Sequence, residues 1–254
     1  MSSFSDDLDL GERAARAAGE LLLERFREPA RGVERKSSRT DMVSDADRDA
    51  EEAITTLLAA ERPDDGLLAE EGSEREASSG RRWVIDPLDG TTNFLYGLSA
   101  WAVSIALEDG DGAAVGVVLD PVRDELFTAV RGEGAWLGRQ RLAVNGCESL
   151  DTAMIATGFA YEAEQRGIQA EVLLRILPRL RDIRRAGSAA LDLCSVAAGR
   201  VDGYYERGGQ PWDWAAGTLI VTEAGGVTRD LPGEPLGLVA AGPAIVDELE
   251  ALVA

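Results

Sequence analysis

Histidine is absent from this chain, lysine occurs once, at position 36, and cysteine only twice. Each scarcity removes a chemistry. Without an imidazole there is no Ser-His-Asp triad, no phosphohistidine intermediate and none of the usual His-bearing zinc sites. Acid–base or metal chemistry must then come from carboxylates, hydroxyls and water. Cys147 and Cys194 form no CxxC pair and match no disulfide framework, as expected of thiols in a reducing compartment. No apolar run reaches the roughly 18 residues of a membrane span. The acidic opening MSSFSDDLDLGERAARAAG lacks the basic start and apolar stretch of a signal peptide, so a cytoplasmic location is expected. No basic run offsets 46 acidic side chains against 26 basic ones. A net charge of −20 repels a polyanion, so nucleic acid is not expected as a primary ligand, whereas hard cations are natural partners.

What is present suits an ordinary globular chain. With 254 residues, 45% of them hydrophobic, there is material for one large domain or two halves sharing a core. Ser5 is expected to cap a helix running to about Arg27, with Leu8, Ala14, Ala15, Ala18, Leu22 and Phe26 on one stripe. Ser44 and Asp47 make an S-x-x-D start before a helical pattern of Ala50, Ala53, Ile54, Leu57 and Leu58, which puts Asp47 in the first turn. Between Arg81 and Val144, short apolar runs separated by DGDG and GEG read as an antiparallel meander. Beyond Asp151, strands and helices alternate: AMIAT, a helix from Ile168 to Leu180, DIRR, a helix from Ser188 to Ala198, and DGYYE. A helix from Trp212 to Ala224 closes at Gly225, a short strand follows, and a last helix runs from Pro243 to Val253. The fold class is therefore α/β. A division near residue 146 is expected, with 1–146 carrying helices, the antiparallel sheet and most acidic candidates, and 147–254 forming an α/β sub-domain with Asp213.

The chemistry concentrates in Trp83 to Phe94, WVIDPLDGTTNF. A β-rich run ends in Asp86, Pro87 makes a rigid turn, and Asp89 follows in a turn closed by Gly90. Two carboxylates three residues apart on a strand-to-turn junction can converge on one point, which is how a pair of hard cations is shared; Mg²⁺ takes a few carboxylates and keeps waters. Glu70 and Glu71, after the apolar run LLA, offer a further ligand, and Asp213, in QPWDWAAG, offers a fourth. Each alone also reads as ordinary turn chemistry, surface acid or a helix N-terminal acid facing the dipole.

Together, Glu70-Glu71, WVIDPLDGTTNF and PWDWAAGTLIVTEAGG resemble, in order and spacing, the signatures of the inositol monophosphatase family. KSSRTDMVSDAD (Lys36 to Asp47) and RRAGSAALDLCSVAAGRVDGYYERG (Arg184 to Gly208) extend the resemblance over nearly the whole chain, in wording most like bacterial members. It implies an αβαβα layered sandwich, a homodimer, and hydrolysis of myo-inositol 1-phosphate or a similar small polyol phosphate with two to three Mg²⁺ ions. Glu70, Asp86, Asp89 and the Leu88 carbonyl would hold the first metal and its neighbours, and Asp213 would join Asp86 and Asp89 around the second. Glu70, Asp47 and Thr91 would be the catalytic set, Asp47 and Thr91 orienting the attacking water. Gly90 and Thr91 amides would hold phosphate. Gly187, Ser188, Ala189, Glu206 and Asp213 would face the alcohol, and Lys36 and Asp41 would lie on a mobile loop. Lithium would inhibit by competing for a weakly held Mg²⁺. Ala69 before the glutamate pair and Ser44 depart from the usual glycine and threonine without removing a metal ligand.

Relatives with the same ligands act on histidinol phosphate, fructose 1,6-bisphosphate or 3′-phosphoadenosine nucleotides, and these remain alternatives, as does a regulatory protein-binding role without catalysis. Cys194 and Arg200 match the CxxxxxR spacing of cysteine-dependent phosphatases, but Cys194 lies in an apolar helix where a buried, inert thiol is expected. DADRD resembles a calcium loop whose sixth and twelfth positions, Ala50 and Thr56, lack the required Gly and Glu.

Overall fold

The computed structural model describes residues 4–28, 31–36 and 42–254. Helix α1 (Ser5–Arg25) is followed by the two-residue strands β1 (Glu34–Arg35) and β2 (Met42–Val43), helix α2 (Asp45–Glu61), β3 (Gly66–Ala69), β4 (Glu74–Arg75) and β5 (Arg82–Asp89). A short helix α3 (Thr91–Leu95) leads into β6 (Ala102–Asp109), β7 (Gly112–Asp120), β8 (Glu125–Val130), β9 (Gly134–Leu137) and β10 (Gln140–Arg141). The meander is present as expected: β5 to β10 run antiparallel in sequence order, while β3 adds alongside β5 in parallel and carries β4 at the edge.

Alternation along these strands feeds two different cores. Trp83, Ile85, Val103, Ile105 and Val117 point to one face and pack with Leu10, Ala14, Ala18 and Leu22 of α1 and Ile54 and Leu58 of α2. Val84, Ala102, Ala106, Val118 and Phe127 point to the other. Small residues let the helices come close: at Gly19 a Cβ would stand 2.7 Å from the Leu119 side chain.

The second half contributes β11 (Met154–Thr157), α4 (Ala163–Ile176), β12 (Asp182–Arg184), α5 (Ala189–Ala197), β13 (Gly203–Arg207), α6 (Pro211–Glu223), β14 (Val227–Leu231), β15 (Gly237–Ala241) and α7 (Val246–Val253). Its five-stranded sheet has the order β12-β11-β13-β15-β14 and mixes parallel and antiparallel pairs. Helices α5 and α6 fill the space between the two sheets: Leu193, Val196, Ala216 and Ile220 share one cluster with Val84 and Val118 on one side and Tyr204 and Ala240 on the other. On the far face of the smaller sheet, Ile155, Val239 and Ala241 pack with Ile176 and Leu249 from α4 and α7. The layers are thus α, β, α, β, α. At Gly116 of β7 a Cβ would stand 2.9 Å from the Ala216 carbonyl oxygen, so the α6 backbone lies directly on the larger sheet.

Several element boundaries differ from the sequence reading. Ser5 is the first helical residue; Phe4 occupies the cap position, where its side chain makes no capping hydrogen bond, and α1 stops at Arg25. Helix α4 starts at Ala163, five residues before Ile168, and buries only Ile176, so its apolar spacing carried little information. Pro243 lies in the turn before α7 and outside the helix, where the Ile245 and Val246 amides donate to the Gly242 carbonyl. Two strands occupy 227–241 where one was expected, because β14 folds back antiparallel on β15. Among the described residues, no helix is long and apolar enough to cross a membrane.

Candidate active site

Separate chain segments, some before and some after residue 146, bring carboxylates to one cavity of about 760 Å³. The first follows β3. Ala69 pairs with Ile85, and the Glu70 amide donates to the Ile85 carbonyl at 3.1 Å, which sets Glu70 beside Asp86 on the neighbouring strand. The turn that carries Glu70 is held from α2: Glu51, 4% exposed, accepts from the Glu71 amide at 2.7 Å and from the Ser73 amide at 2.9 Å.

The second segment is the end of β5. Its register against β6 is broken between Asp86 and Asp89, where Pro87 has no N–H to offer the ladder. The Leu88 amide instead donates to Asp86 Oδ1 at 2.9 Å. Gly90 turns the chain at φ +96°, and a Cβ there would stand 2.9 Å from the Ala100 carbonyl oxygen and 3.1 Å from that of Gly187, so glycine is needed for both conformation and space. Thr91 begins α3 directly after it, and its hydroxyl donates to Asp47 Oδ1 at 2.9 Å.

Asp47 stands behind Thr91 as part of the expected S-x-x-D start. Its Oδ2 accepts from the Ser44 amide at 2.9 Å and the Ser44 hydroxyl at 2.6 Å, while Ser44 Oγ accepts from the Ala46 amide. Burial raises the Asp47 carboxyl above its ordinary range, against the lowering effect of the Ser44 and Thr91 donors.

Three further elements, α5, β13 and α6, come from the later part of the chain. Ser188 caps α5 through the Leu191 amide, and its hydroxyl donates to Asp89 Oδ2 at 2.6 Å; the Ala190 amide reaches the same oxygen at 2.7 Å. Asn93 reinforces the crossing by donating to the Ala100 and Ala186 carbonyls. Asp213 sits in the first turn of α6, where its Oδ2 accepts from the Gln210 amide at 2.6 Å. Glu206, from β13, accepts from the Tyr204 hydroxyl at 2.8 Å.

Burial, and after it the charge of neighbouring carboxylates, raises the pKa of Asp86 and Asp213. Asp86 is pushed well above the ordinary carboxylate range, by burial first and then by Glu70, Asp89 and Asp213. Asp213 is raised likewise, by burial and then by Asp89. Asp89 is raised by burial against the donors of Ser188 and Ala190. Glu206 is pushed up to about 7, mainly by burial. The only lysine answers this charge. Lys36 Nζ donates to Glu70 Oε1 at 2.8 Å and to Glu71; burial works against its charge, but the two carboxylates hold its pKa above the ordinary value. Glu71 is pushed up to about 7, by burial against the Lys36 bond.

This donor set suits a hard divalent cation: oxygen-only, largely carboxylate, converging from several segments, and already drawing a side-chain ammonium. Among the described residues no three acids stand in a ligating arrangement as they are; one oxygen of Glu70 meets Lys36, one of Asp89 meets Ser188 and Ala190, and one of Asp213 meets Gln210. Glu70, Asp86, Asp89 and Asp213 are the side chains that could turn to hold a metal.

Of the residues singled out by sequence, Lys36, Glu70, Asp86, Leu88, Asp89, Gly90 and Thr91 line the cavity from the first half. Gly187, Ser188, Ala189, Glu206 and Asp213 line it from the second. Asp41 lies outside the described residues. Sequence reasoning missed Gly158, Arg185 and Asp192, which also line the cavity, and Glu51 beneath it. Glu51 had a readable signal: with Asp47 it interrupts the apolar stripe of α2 at i, i+4, the mark of an inward-facing acid. Asp192 is 5% exposed and raised by burial, then by Glu206. Cys194 is fully buried in α5, its thiol pushed up by burial, and Arg200 pairs with Glu125, so the CxxxxxR spacing builds no thiolate site.

The chain matches the family model described as "Inositol monophosphatase family" over residues 6–253. It is 47% identical to the inositol-1-monophosphatase SuhB of Mycobacterium tuberculosis strain H37Rv, over 85% of this chain and 79% of that one. To the Nus factor SuhB of Pasteurella multocida it is 44% identical, over 95% and 93%. The crystal structure of the extragenic suppressor protein suhB from Bartonella henselae superposes with a TM-score of 0.93 at 40% identity, covering 98% of both chains. The five-layer fold, the order of the acidic segments and a match running almost end to end agree: the chain belongs to the inositol monophosphatase family.

Proposed function

We propose that this protein is a Mg²⁺-dependent phosphomonoesterase that hydrolyses myo-inositol 1-phosphate, or a closely similar small polyol phosphate, to alcohol and phosphate. The observation that carries this reading is the convergence of Glu70, Asp86, Asp89 and Asp213 on one cavity beside the hydrogen-bonded pair Thr91–Asp47. When bound, two or three Mg²⁺ ions would neutralise the phosphate dianion and acidify a coordinated water. Glu70, Asp86 and Asp89 with the Leu88 carbonyl would hold one ion, and Asp86, Asp89 and Asp213 another.

The chain's own residues do the rest. Thr91 spends its hydroxyl proton on Asp47, which leaves its oxygen to accept from the attacking water. Asp47, buried and raised, is the proton acceptor at the end of that two-bond path. The Gly90 and Thr91 amides, at the left-handed turn that opens α3, would hold the phosphate. Gly187 to Ala189 would touch the alcohol portion, and the Glu206 carboxylate would accept from its hydroxyls. Lithium inhibition and a homodimer belong to the same proposal.

A comparison of kcat/KM at saturating Mg²⁺ tests the substrate. Myo-inositol 1-phosphate is expected to exceed histidinol phosphate, fructose 1,6-bisphosphate and 3′-phosphoadenosine nucleotides; a hundredfold preference for histidinol phosphate would overturn the choice. The similarity to proteins named Nus factor SuhB supports a second reading, a regulatory protein-binding role. The four cavity carboxylates favour the enzyme, because a docking surface has no use for acids such as Asp86 and Asp213, which burial and then the neighbouring carboxylates push well above the ordinary range.

A further inference from the structure

We propose that Trp214, Tyr204 and Gly158 are positioning residues that fix the Glu206 carboxylate and so set the preference for hydroxyl-bearing phosphate esters over plain ones. This rests on the reading of Glu206 as the acceptor for substrate hydroxyls, and goes beyond it by naming what holds that acceptor still.

The arrangement follows from the strand. Tyr204 and Glu206 are two residues apart on β13, so both side chains leave the same face of the sheet. Tyr204 is fully buried, and its hydroxyl donates to Glu206 Oε2 at 2.8 Å. That hydroxyl in turn accepts from Trp214 Nε1 at 3.2 Å, one residue past Asp213 in the first turn of α6. A three-member chain of hydrogen bonds thus runs from the helix carrying an acidic cavity residue to the proposed alcohol acceptor.

Two glycines make space for its ends. A Cβ on Gly158 would stand 2.1 Å from the Glu206 carboxyl carbon and from both of its oxygens, so the carboxylate rests directly on the Gly158 backbone. A Cβ on Gly209 would stand 2.4 Å from Cζ2 of Trp214, so the indole packs on that backbone too. Pinned from below by Gly158 and from one side by Tyr204, Glu206 keeps Oε1 for the cavity. A glutamate has three rotatable bonds, and an acceptor that is already ordered loses little entropy when a hydroxyl arrives. Sites built to hydrogen-bond a substrate hydroxyl discriminate strongly against esters that lack it. Neither the tyrosine nor the tryptophan needs to touch substrate for this to work.

The test compares myo-inositol 1-phosphate with p-nitrophenyl phosphate, whose leaving group carries no additional hydroxyl, using the full chain at saturating Mg²⁺. In Tyr204→Phe, the ratio of kcat/KM between the two esters is expected to fall about tenfold, through KM for the inositol ester and not through kcat. Gly158→Ala, whose methyl takes the carboxylate's place, is expected to lower the ratio further. Trp214→Phe is expected to lower it about threefold, and the Trp214→Phe, Tyr204→Phe double variant to match Tyr204→Phe alone, because the indole acts only through the hydroxyl. Equal losses on both esters, an unchanged ratio in Tyr204→Phe, or additive effects in the double variant would overturn the proposal while leaving the activity reading intact. Failure of that reading shows earlier and elsewhere: wild-type protein would cleave p-nitrophenyl phosphate but no polyol phosphate. If Gly158→Ala does not fold, Tyr204→Phe, which removes one oxygen atom, decides alone.

Discussion

Glu51 offers the sharpest link between scaffold and site. Its two oxygens accept the Glu71 and Ser73 amides at 2.7 and 2.9 Å, and these bonds hold the turn that presents Glu70. In Glu51→Gln the side chain keeps its length and one acceptor oxygen, but an NH₂ group now faces an amide N–H. One charge-assisted hydrogen bond is lost, the other weakens to a neutral one, and a buried donor is left unmet. Together these cost about 2–4 kcal/mol. For a chain of this size each kcal/mol moves Tm by about 2–4 °C, so a fall of about 4–16 °C is expected. The released turn also holds Glu70 less firmly, and a tenfold loss of Mg²⁺ affinity would remove about 1.4 kcal/mol from the stabilisation that Mg²⁺ gives at concentrations above Kd. Thermal unfolding across a Mg²⁺ titration measures both quantities. Glu52→Gln, one residue on and exposed, is the control and should leave Tm within about 1 °C. If Glu51→Gln unfolds with the control and gains as much from Mg²⁺ as the wild type, Glu51 is not the support described here.

Two further outcomes follow from the geometry. Asp86, Asp192 and Asp213 are raised well above the ordinary range, and Glu71 and Glu206 up to about 7, all chiefly by burial, so these carboxyls bind protons more tightly folded than unfolded. Stability of the metal-free protein should therefore be greater near pH 6 than at pH 8. Mg²⁺ should narrow the gap because binding displaces those protons, and a Tm in chelator that climbs over this interval would contradict the assignment. Gly116→Val would push a side chain against the Ala216 carbonyl, 2.9 Å away, and should cost about 1–3 kcal/mol while raising the Mg²⁺ concentration needed for half-maximal activity, as α6 shifts Asp213; an unchanged Tm would show that the helix gives way freely.

Much of the site was legible because its local chemistry is short-range. The Ser44–Asp47 start needs four residues to declare itself, and it opens α2 with a capping box. The D-P-L-D-G turn announces its break through Pro87 and Gly90, and Asp213 through its place just after Pro211 at the start of a helix. What stayed hidden depends on pairing across the chain. That β3 lies parallel to β5, which puts Glu70 beside Asp86, is fixed by register between segments with their own intervening turn, and no local pattern encodes it. The Lys36 pairing with Glu70 and Glu71 spans more than thirty residues. The start of α4 was invisible for another reason: a helix that buries one residue in fourteen leaves almost no apolar period to read. Gly158 lies between the expected strand AMIAT and the helix expected from Ile168, and only the packed Glu206 carboxylate shows why its side chain must be absent.

The most direct measurement is Mg²⁺-dependent phosphate release from myo-inositol 1-phosphate by Asp89→Asn beside the wild type. Asparagine keeps an oxygen for the Ser188 hydroxyl and the Ala190 amide, so circular dichroism and Tm should show the fold intact. Turnover should fall to about a thousandth of the wild-type rate or below, because the carboxylate charge shared by both proposed metal positions is gone. Turnover retained within a few-fold by the folded variant would contradict a metal-dependent phosphatase built on these four acids.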